Sequence, residues 1–207
     1  MSAGSLYDAK TLPGKVTGLS QKRWWYFNLD FEAAWDKQTG VDGYEYVFKT
    51  SNGKKFASGT ISYNTNSTSV YNINNSMIYT GRVRAFMIYN GQKYYGAWSD
   101  VAYFFTQPRI TSIGVSNKKL TVKWGKVSGA TGYDVYVSTK PTSGYRKVKS
   151  VSKKVSSVTI TKFRSKKISS SKTYYVYIAT KKKTSKKTYT SGKLYYWNSK
   201  TGGYGYF

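Results

Sequence analysis

Apolar and polar residues alternate along most of the chain with a period of two, the mark of half-buried strands in antiparallel sheets. Leu29, Phe31, Ala33 and Trp35 alternate with Asn28, Asp30 and Glu32, and Leu120, Val122 and Trp124 alternate with Thr121 and Lys123. After a short turn, Tyr44, Tyr46 and Phe48 make one face, as do Tyr133, Val135 and Val137. Gly43 and Gly132 stand at the turn exits, and Gly-, Asn- or Lys-rich breaks separate the later runs. Further strands are expected at 68–73, 79–89, 97–105, 155–161, 174–181 and 189–197, and no stretch of ten residues carries a helical stripe. The pattern predicts an all-β protein.

It also repeats. Trp35 opens W-D-K-Q-T-G-V-D-G-Y, ending at Tyr44, and Trp124 opens W-G-K-V-S-G-A-T-G-Y, ending at Tyr133. Both spacings are nine residues, and the copies are offset by 89, a domain-sized period. Pro13 and Pro108 each stand just ahead of a first strand. The expected organisation is an N-terminal extension (1–14), a first module (15–107), a second module (108–197) and a Gly- and aromatic-rich tail (198–207). The tail lacks strand periodicity and reads as a linker, a strand docked elsewhere or the end. The joint at 106–109 is short and contains Pro108, which favours restricted motion.

Charge makes the same cut. Across 207 residues, Lys and Arg number 34 against 8 acids, a formal +26. Residues 1–107 hold 11 bases and 7 acids; residues 108–207 hold 23 bases and one acid, Asp134. An aromatic content of 18% gives enough burial to fold and excludes disorder. With no Cys and no His, disulfides, Cys-ligated zinc and Ser-His-Asp or Cys-His catalysis are excluded. No apolar run approaches the roughly 20 residues of a membrane span. The first 30 residues lack a signal-peptide pattern. The expectation is a cytoplasmic product or an excised or mature piece of an exported protein, with neighbouring domains a possibility left open.

A strand ending in Trp, a short turn, G-Y-x-V on the next strand, then an apolar strand before a tyrosine-led one resembles the fibronectin type III family. In the first copy Val70 and Ile73 precede Tyr79 of Y-T-G-R-V-R-A, and Ala97-Trp98-Ser99 opens the last strand. In the second, Val158, Ile160 and Phe163 precede Tyr174 of Y-Y-V-Y-I. L-T-V-K-W-G-K-V-S-G-A-T-G-Y-D-V-Y-V is similar to Lys-rich modules of Gram-positive surface and secreted proteins. The resemblance spans roughly 15–106 and 109–197 and implies two tandem Ig-like β-sandwiches of seven strands each. It implies core roles for Trp35, Tyr44, Trp124 and Tyr133, and tyrosine corners at Tyr79 and Tyr174. The first copy departs by an aromatic N-terminal extension of its second strand, Trp24-Trp25-Tyr26-Phe27.

Fold does not supply function, so the surface must. Lys181, Lys182, Lys183, Lys186 and Lys187 flank Thr184-Ser185 at the tip of the last hairpin, and Lys147, Lys149, Lys153 and Lys154 fall in the middle strands. Lys162, Arg164, Lys166 and Lys167 lie in the next connection. The nine lysines of the hairpin tip and the middle strands form a candidate polyanion-binding array. Lysine is a hydrated point charge without the bidentate geometry of arginine, of which this module has only Arg109, Arg146 and Arg164. The same lysines also protect strand edges against aggregation, so attraction and solubility stand as two readings. Anionic polysaccharides and wall polymers are the expected partners; nucleic acid is expected to bind only non-specifically, because no recognition motif is present.

In the aromatic cluster, the phase set by Trp35 turns Trp24 and Tyr26 outward, to stack on sugars or to pack against the N-terminal segment or the neighbouring module. Asp30 and Glu32 project from one strand face with Glu45 on the adjacent strand. An open face offers no cleft to raise a carboxyl pKa, so these are expected to be solvated charges rather than an acid–base pair. No enzyme, no cofactor and no metal site is expected. The function expected is a non-catalytic cell-surface or secreted adhesion or spacer pair. The alternatives are a virion or extracellular-assembly component and an accessory carbohydrate-binding module.

Overall fold

The computed structural model describes residues 11–25 and 29–207, apart from the side chains of Trp24 and Trp25. Every regular element among the described residues is a β-strand, and every strand pairing is antiparallel. In the first module, β1 (Ser20–Trp25), β2 (Asp30–Ala34) and β5 (Ser67–Val70) form a three-stranded sheet in the order β1-β2-β5. Opposite it lie β4 (Lys55–Ser62), β3 (Gly43–Lys49) and β6 (Tyr79–Tyr89), with β7 (Gln92–Tyr95) and β8 (Ala102–Phe104) sharing the far side of β6.

The second module repeats the plan. β9 (Ile110–Ser116), β10 (Lys119–Trp124) and β13 (Ser157–Ile160) face a sheet of β12 (Arg146–Ser152), β11 (Gly132–Ser138) and β16 (Tyr175–Lys183). β17 (Thr188–Thr190) and β18 (Tyr195–Asn198) share the far side of β16. A two-stranded hairpin of β14 (Lys162–Phe163) and β15 (Lys166–Lys167) bridges β13 to β16. The chain is thus two tandem Ig-like β-sandwiches with seven strand positions each, the last position divided in two.

The alternation explains the cores. Phe31 and Ala33 on β2, Tyr44 and Phe48 on β3, and Val83 and Ala85 on β6 are all buried between the sheets, as are Leu120, Val122, Tyr133, Val135, Val176 and Ile178 in the second module. Trp35 packs edge-on against Tyr44 at 5.4 Å, and Trp124 against Tyr133 at 5.7 Å. Each tyrosine hydroxyl then accepts an upstream backbone N–H: Tyr44 from Gln38 at 2.7 Å and Tyr133 from Val127 at 2.8 Å. Tyr79 and Tyr174 do the same with Asn74 at 2.7 Å and Ser169 at 3.1 Å.

Four departures from the sequence pattern have local causes. Leu29 is 42% exposed and has φ 51°, so the inward face of β2 begins only at Phe31. Trp24 and Trp25 belong to β1, not to an extension of the second strand, while Tyr26 and Phe27 lie outside the described residues. The strand expected over 97–105 is interrupted at Ser99, whose N–H donates to the Val83 carbonyl at 2.8 Å while its Oγ accepts the Val83 N–H at 3.1 Å. Ser191 repeats this exchange with Thr180 at 2.9 and 3.0 Å, which divides the strand expected over 189–197. A serine hydroxyl thus replaces a strand carbonyl, and the backbone is free to bulge. The tail takes one of the readings open to it: it adds a strand, β19 (Tyr204–Tyr206), to the edge of β18.

The joint between the modules is buried. Gln107 is wholly inaccessible; its amide N–H donates to the Tyr195 carbonyl at 2.6 Å, and its Oε1 accepts the Leu194 and Tyr195 N–H groups at 3.1 and 3.3 Å. The Tyr195 hydroxyl donates to the Gln107 carbonyl at 2.9 Å. Beside it, Thr180 donates to the Thr106 carbonyl at 2.8 Å and Thr106 to that of Met77 at 3.1 Å. Ile78 N–H donates to the Ser128 carbonyl at 2.9 Å, and Ser128 N–H to that of Ser76 at 2.7 Å, so backbone pairing crosses from one module to the other. Replacing Gln107 by Ala removes the partner of the buried Tyr195 N–H and carbonyl and of the half-buried Leu194 N–H. We expect a loss of about 2–4 kcal/mol, since one orphaned buried group costs about 1–3 kcal/mol. Denaturant unfolding of the full chain checks it; an unchanged midpoint would show the joint to be energetically idle.

Candidate anion-attachment surface

Asp134, the one acid of the second module, projects from the centre of β11 onto the outer face of its sheet. Register sets it beside Ser150 on β12 and Ala179 on β16, with Lys181 one pleat along. Lys181 Nζ lies 2.8 Å from Oδ1, Lys147 Nζ 3.5 Å from Oδ2, and the Ser150 hydroxyl donates to Oδ1 at 2.6 Å. Lys181 also contacts the Ser150 hydroxyl. Burial pushes the Asp134 carboxyl up, but the hydrogen bonds from Lys181 and Ser150 and the charges of Lys181 and Lys147 outweigh it, leaving it below the ordinary value. Two of the nine lysines of the expected array are therefore already matched to a carboxylate.

The others divide. Lys149 on β12 and Lys153 and Lys154 in the following turn are exposed, as are Lys183, Lys186 and Lys187. Lys182 is half-buried and donates to the Gly129 carbonyl at 3.1 Å. The β16–β17 hairpin leans back on the first module. Tyr189 packs on Tyr103 at 4.7 Å, Lys187 Nζ lies 4.6 Å from the centre of the Tyr189 ring, and Thr184–Lys187 line a cleft of about 840 Å³ with Val16, Arg82 and Asp100. The Asp100 carboxyl is held down first by its hydrogen bond and charge contact with Lys15, with Lys186 contributing at longer range. The array is thus not one patch: its hairpin limb belongs to the seam between modules, and its β12 limb to the sheet edge.

An aromatic shelf occupies the rest of the outer face. Tyr136 and Tyr177 stack at 4.5 Å with an interplanar angle of 6°. Tyr145 and Phe207 close over Tyr177 at 5.1 and 5.4 Å, and Tyr196 meets Phe207 at 5.6 Å. Tyr177, only 4% exposed, is thus covered by the returning tail rather than by the opposite sheet. Burial raises the Tyr145 and Tyr177 phenols well above their ordinary value.

The first module carries its own ladder on the corresponding face. Arg84 pairs with Glu45 at 2.5 Å and lies between the rings of Tyr95 (3.8 Å) and Trp98 (4.5 Å). Glu32 pairs with Lys22 at 3.4 Å. Asp30, expected to be solvated, is buried instead, and desolvation raises its carboxyl. It opens β2 directly opposite Trp25, at the closed end of a hairpin rather than on an open face. The side chain of Trp24 and the whole of Tyr26 lie outside the described residues. No group of three or more acidic side chains gathers among the described residues in a way that would hold a metal ion.

No protein family matches this chain by sequence, and no curated protein does. Among solved structures it is similar to the FN1–FN3 domains of chicken CNTN1, at 18% identity over 82% of this chain and 59% of that one, with TM-score 0.34. It is similar to a two fibronectin type III domain segment of chicken tenascin at 16% identity over 93% and 99%, with TM-score 0.38. A structure described as a myokine matches at 14% identity over 45% and 97%, with TM-score 0.39. The chain spans about three-fifths of the CNTN1 segment. Strand order within the chain, rather than these likenesses, identifies the two sandwiches.

A carboxyl with a lowered folded-state pKa adds stability above its unfolded pKa of about 3.9, and that stability is lost as pH falls through the folded value. Asp134→Asn should therefore flatten the fall in unfolding free energy between about pH 5 and pH 3. At pH 7 it should be less stable than the parent by about 1–3 kcal/mol, the scale of hydrogen bonds to charged groups. Urea titrations at three pH values decide this; parallel curves would mean that the Asp134–Lys181 pair contributes nothing.

Proposed function

We propose that the chain is a non-catalytic adhesion or spacer pair acting at a cell surface or in the extracellular space, and that its second module attaches electrostatically to an anionic wall polymer or polysaccharide. One observation carries this reading. The module's only acid is turned to two of its own lysines, so its remaining bases have no carboxylate partner within the module. Such a surface concentrates polyanions from a distance, with a strength that falls as salt screens it over about 10 Å at 0.1 M. The buried joint supports a spacer role, because a second module fixed on the first transmits position as well as affinity. The resemblance of 120–137 to Lys-rich modules of surface and secreted proteins points the same way.

The full chain should bind heparin and poly(glycerol phosphate) at about 50 mM salt, with log affinity falling linearly in log salt, as counterion release requires. It should not bind neutral glycans. Surface plasmon resonance across a salt series tests this. Binding to a neutral glycan of equal strength, or no binding to any polyanion at low salt, would overturn the reading.

A further inference from the structure

Two of the three arginines in the second module, Arg146 and Arg164, converge on one groove although they lie 18 residues apart in the chain. The groove, about 640 Å³ and open to solvent, runs between the β12 edge and the β14–β15 hairpin, lined by Arg146, Lys147, Val148, Lys162, Arg164 and Ser165. No acidic side chain lines it. The Lys147 ammonium is drawn toward Asp134, which leaves Arg146, Lys162 and Arg164 as its cations.

The hairpin is built to present Arg164. Arg164 and Ser165 both adopt left-handed backbone, with φ of 50° and 64°, a conformation that is uncommon for residues with a side chain. Phe163, 7% exposed, anchors the hairpin in the core directly before them. The Arg164 guanidinium donates from Nη2 to the Gly144 carbonyl at 2.8 Å. A Cβ on Gly144, whose φ is +69°, would sit only 3.2 Å from that nitrogen, so glycine there leaves the guanidinium its place. The bond fixes the planar fork by one donor and leaves the others free. Fixed, planar, multidentate donors distinguish recognition of a tetrahedral oxyanion from the general attraction of a lysine surface.

Resting on the attachment reading above, we propose that this groove is the recognition site for a sulfate or phosphate ester carried on a sugar or polyol polymer, with Arg146 and Arg164 as paired donors and Lys162 adding charge. The exposed lysines elsewhere supply attraction without selectivity. A nucleic acid is the less suited occupant: single strands bind by stacking bases on exposed rings, and the groove's one aromatic, Phe163, is buried.

The test compares the full chain with the charge-preserving double variant Arg146→Lys/Arg164→Lys and with Lys186→Gln/Lys187→Gln. Probes are a heparin oligosaccharide, poly(glycerol phosphate) and oligo(dT), at about 150 and 500 mM salt. The arginine variant should lose affinity about tenfold for the polymer that best survives high salt, with the salt slope unchanged, the scale set by charge-assisted hydrogen bonds. The lysine variant should instead shallow the slope. Whichever of heparin or poly(glycerol phosphate) survives high salt identifies the ester. Matched thermal unfolding controls for folding, and NMR shifts of the Arg146 and Arg164 Nε–Hε signals on titration locate the contact directly. Unchanged affinity in the arginine variant, or silent Nε–Hε signals, would overturn the groove while leaving electrostatic attachment standing. Equal, arginine-dependent, salt-resistant binding of oligo(dT) would overturn the assignment to a carbohydrate or polyol polymer. Absence of binding to every probe at 150 mM and below would overturn groove and attachment together.

Discussion

The buried amide of Gln107 is the contact on which the arrangement of the two modules depends. A linker residue normally faces water, because a buried connection carries backbone groups that must be paired. Here the side chain pairs them: Gln107 satisfies both N–H groups at Leu194–Tyr195 and one carbonyl, and receives the Tyr195 hydroxyl in return. Because these partners sit in the divided last strand of the second sandwich, the joint reaches that strand's irregular stretch. The interruption at Ser191 and the buried linker are therefore parts of one device. The bulge turns backbone donors toward the linker, and the linker satisfies them.

Fixing the joint also decides which charges remain available. With the second module held against the first, its β16–β17 hairpin rests on Tyr103 and shares a cleft with Asp100, whose carboxyl feels the charge of Lys186. Asp134 draws in Lys147 and Lys181 on the other side of the sheet. Carboxylates thus meet lysines near the C-terminal end of β16 and in the hairpin that follows it, while the groove between the β12 edge and the β14–β15 hairpin is lined by cations and no acid. A surface that is uniform in composition becomes differentiated by where its few acids fall.

Much of this fold was legible in the sequence, for a physical reason. The Trp35–Tyr44 and Trp124–Tyr133 spacings span a turn whose ends are tied locally, so identical spacing gives identical geometry, down to the hydroxyl closing on an N–H six residues back. Period-two alternation likewise located the inner faces of β2, β3, β10 and β11. What escaped was non-local. Gln107 looks like any polar linker residue until its partner 88 positions away is in place. Tyr175 and Tyr177 fit a core pattern as well as an outer one, and it is Tyr136, Tyr145 and the returning Phe207 together that make the outer face dry enough to bury Tyr177. Asp30 stood among polar neighbours and read as solvated, yet hairpin closure buries it. The serine exchanges carried no periodic signal at all, since one hydroxyl stands in for one carbonyl.

The candidate site was legible in charge but not in place. Lys181–Lys187 is the densest basic run, and charge density is what a sequence displays. Recognition depends instead on how rigidly a few donors are held and in what geometry. The sequence did contain the relevant clue, in the scarcity of arginine: in a module with 23 basic residues, only three carry a planar fork. Two of those three meet at one groove, one of them held by a carbonyl and by a left-handed turn that non-glycine residues seldom adopt. A guanidinium held by a carbonyl, in an acid-free groove that a second arginine also lines, separates the proposed anion site from the solvated field of lysines around it.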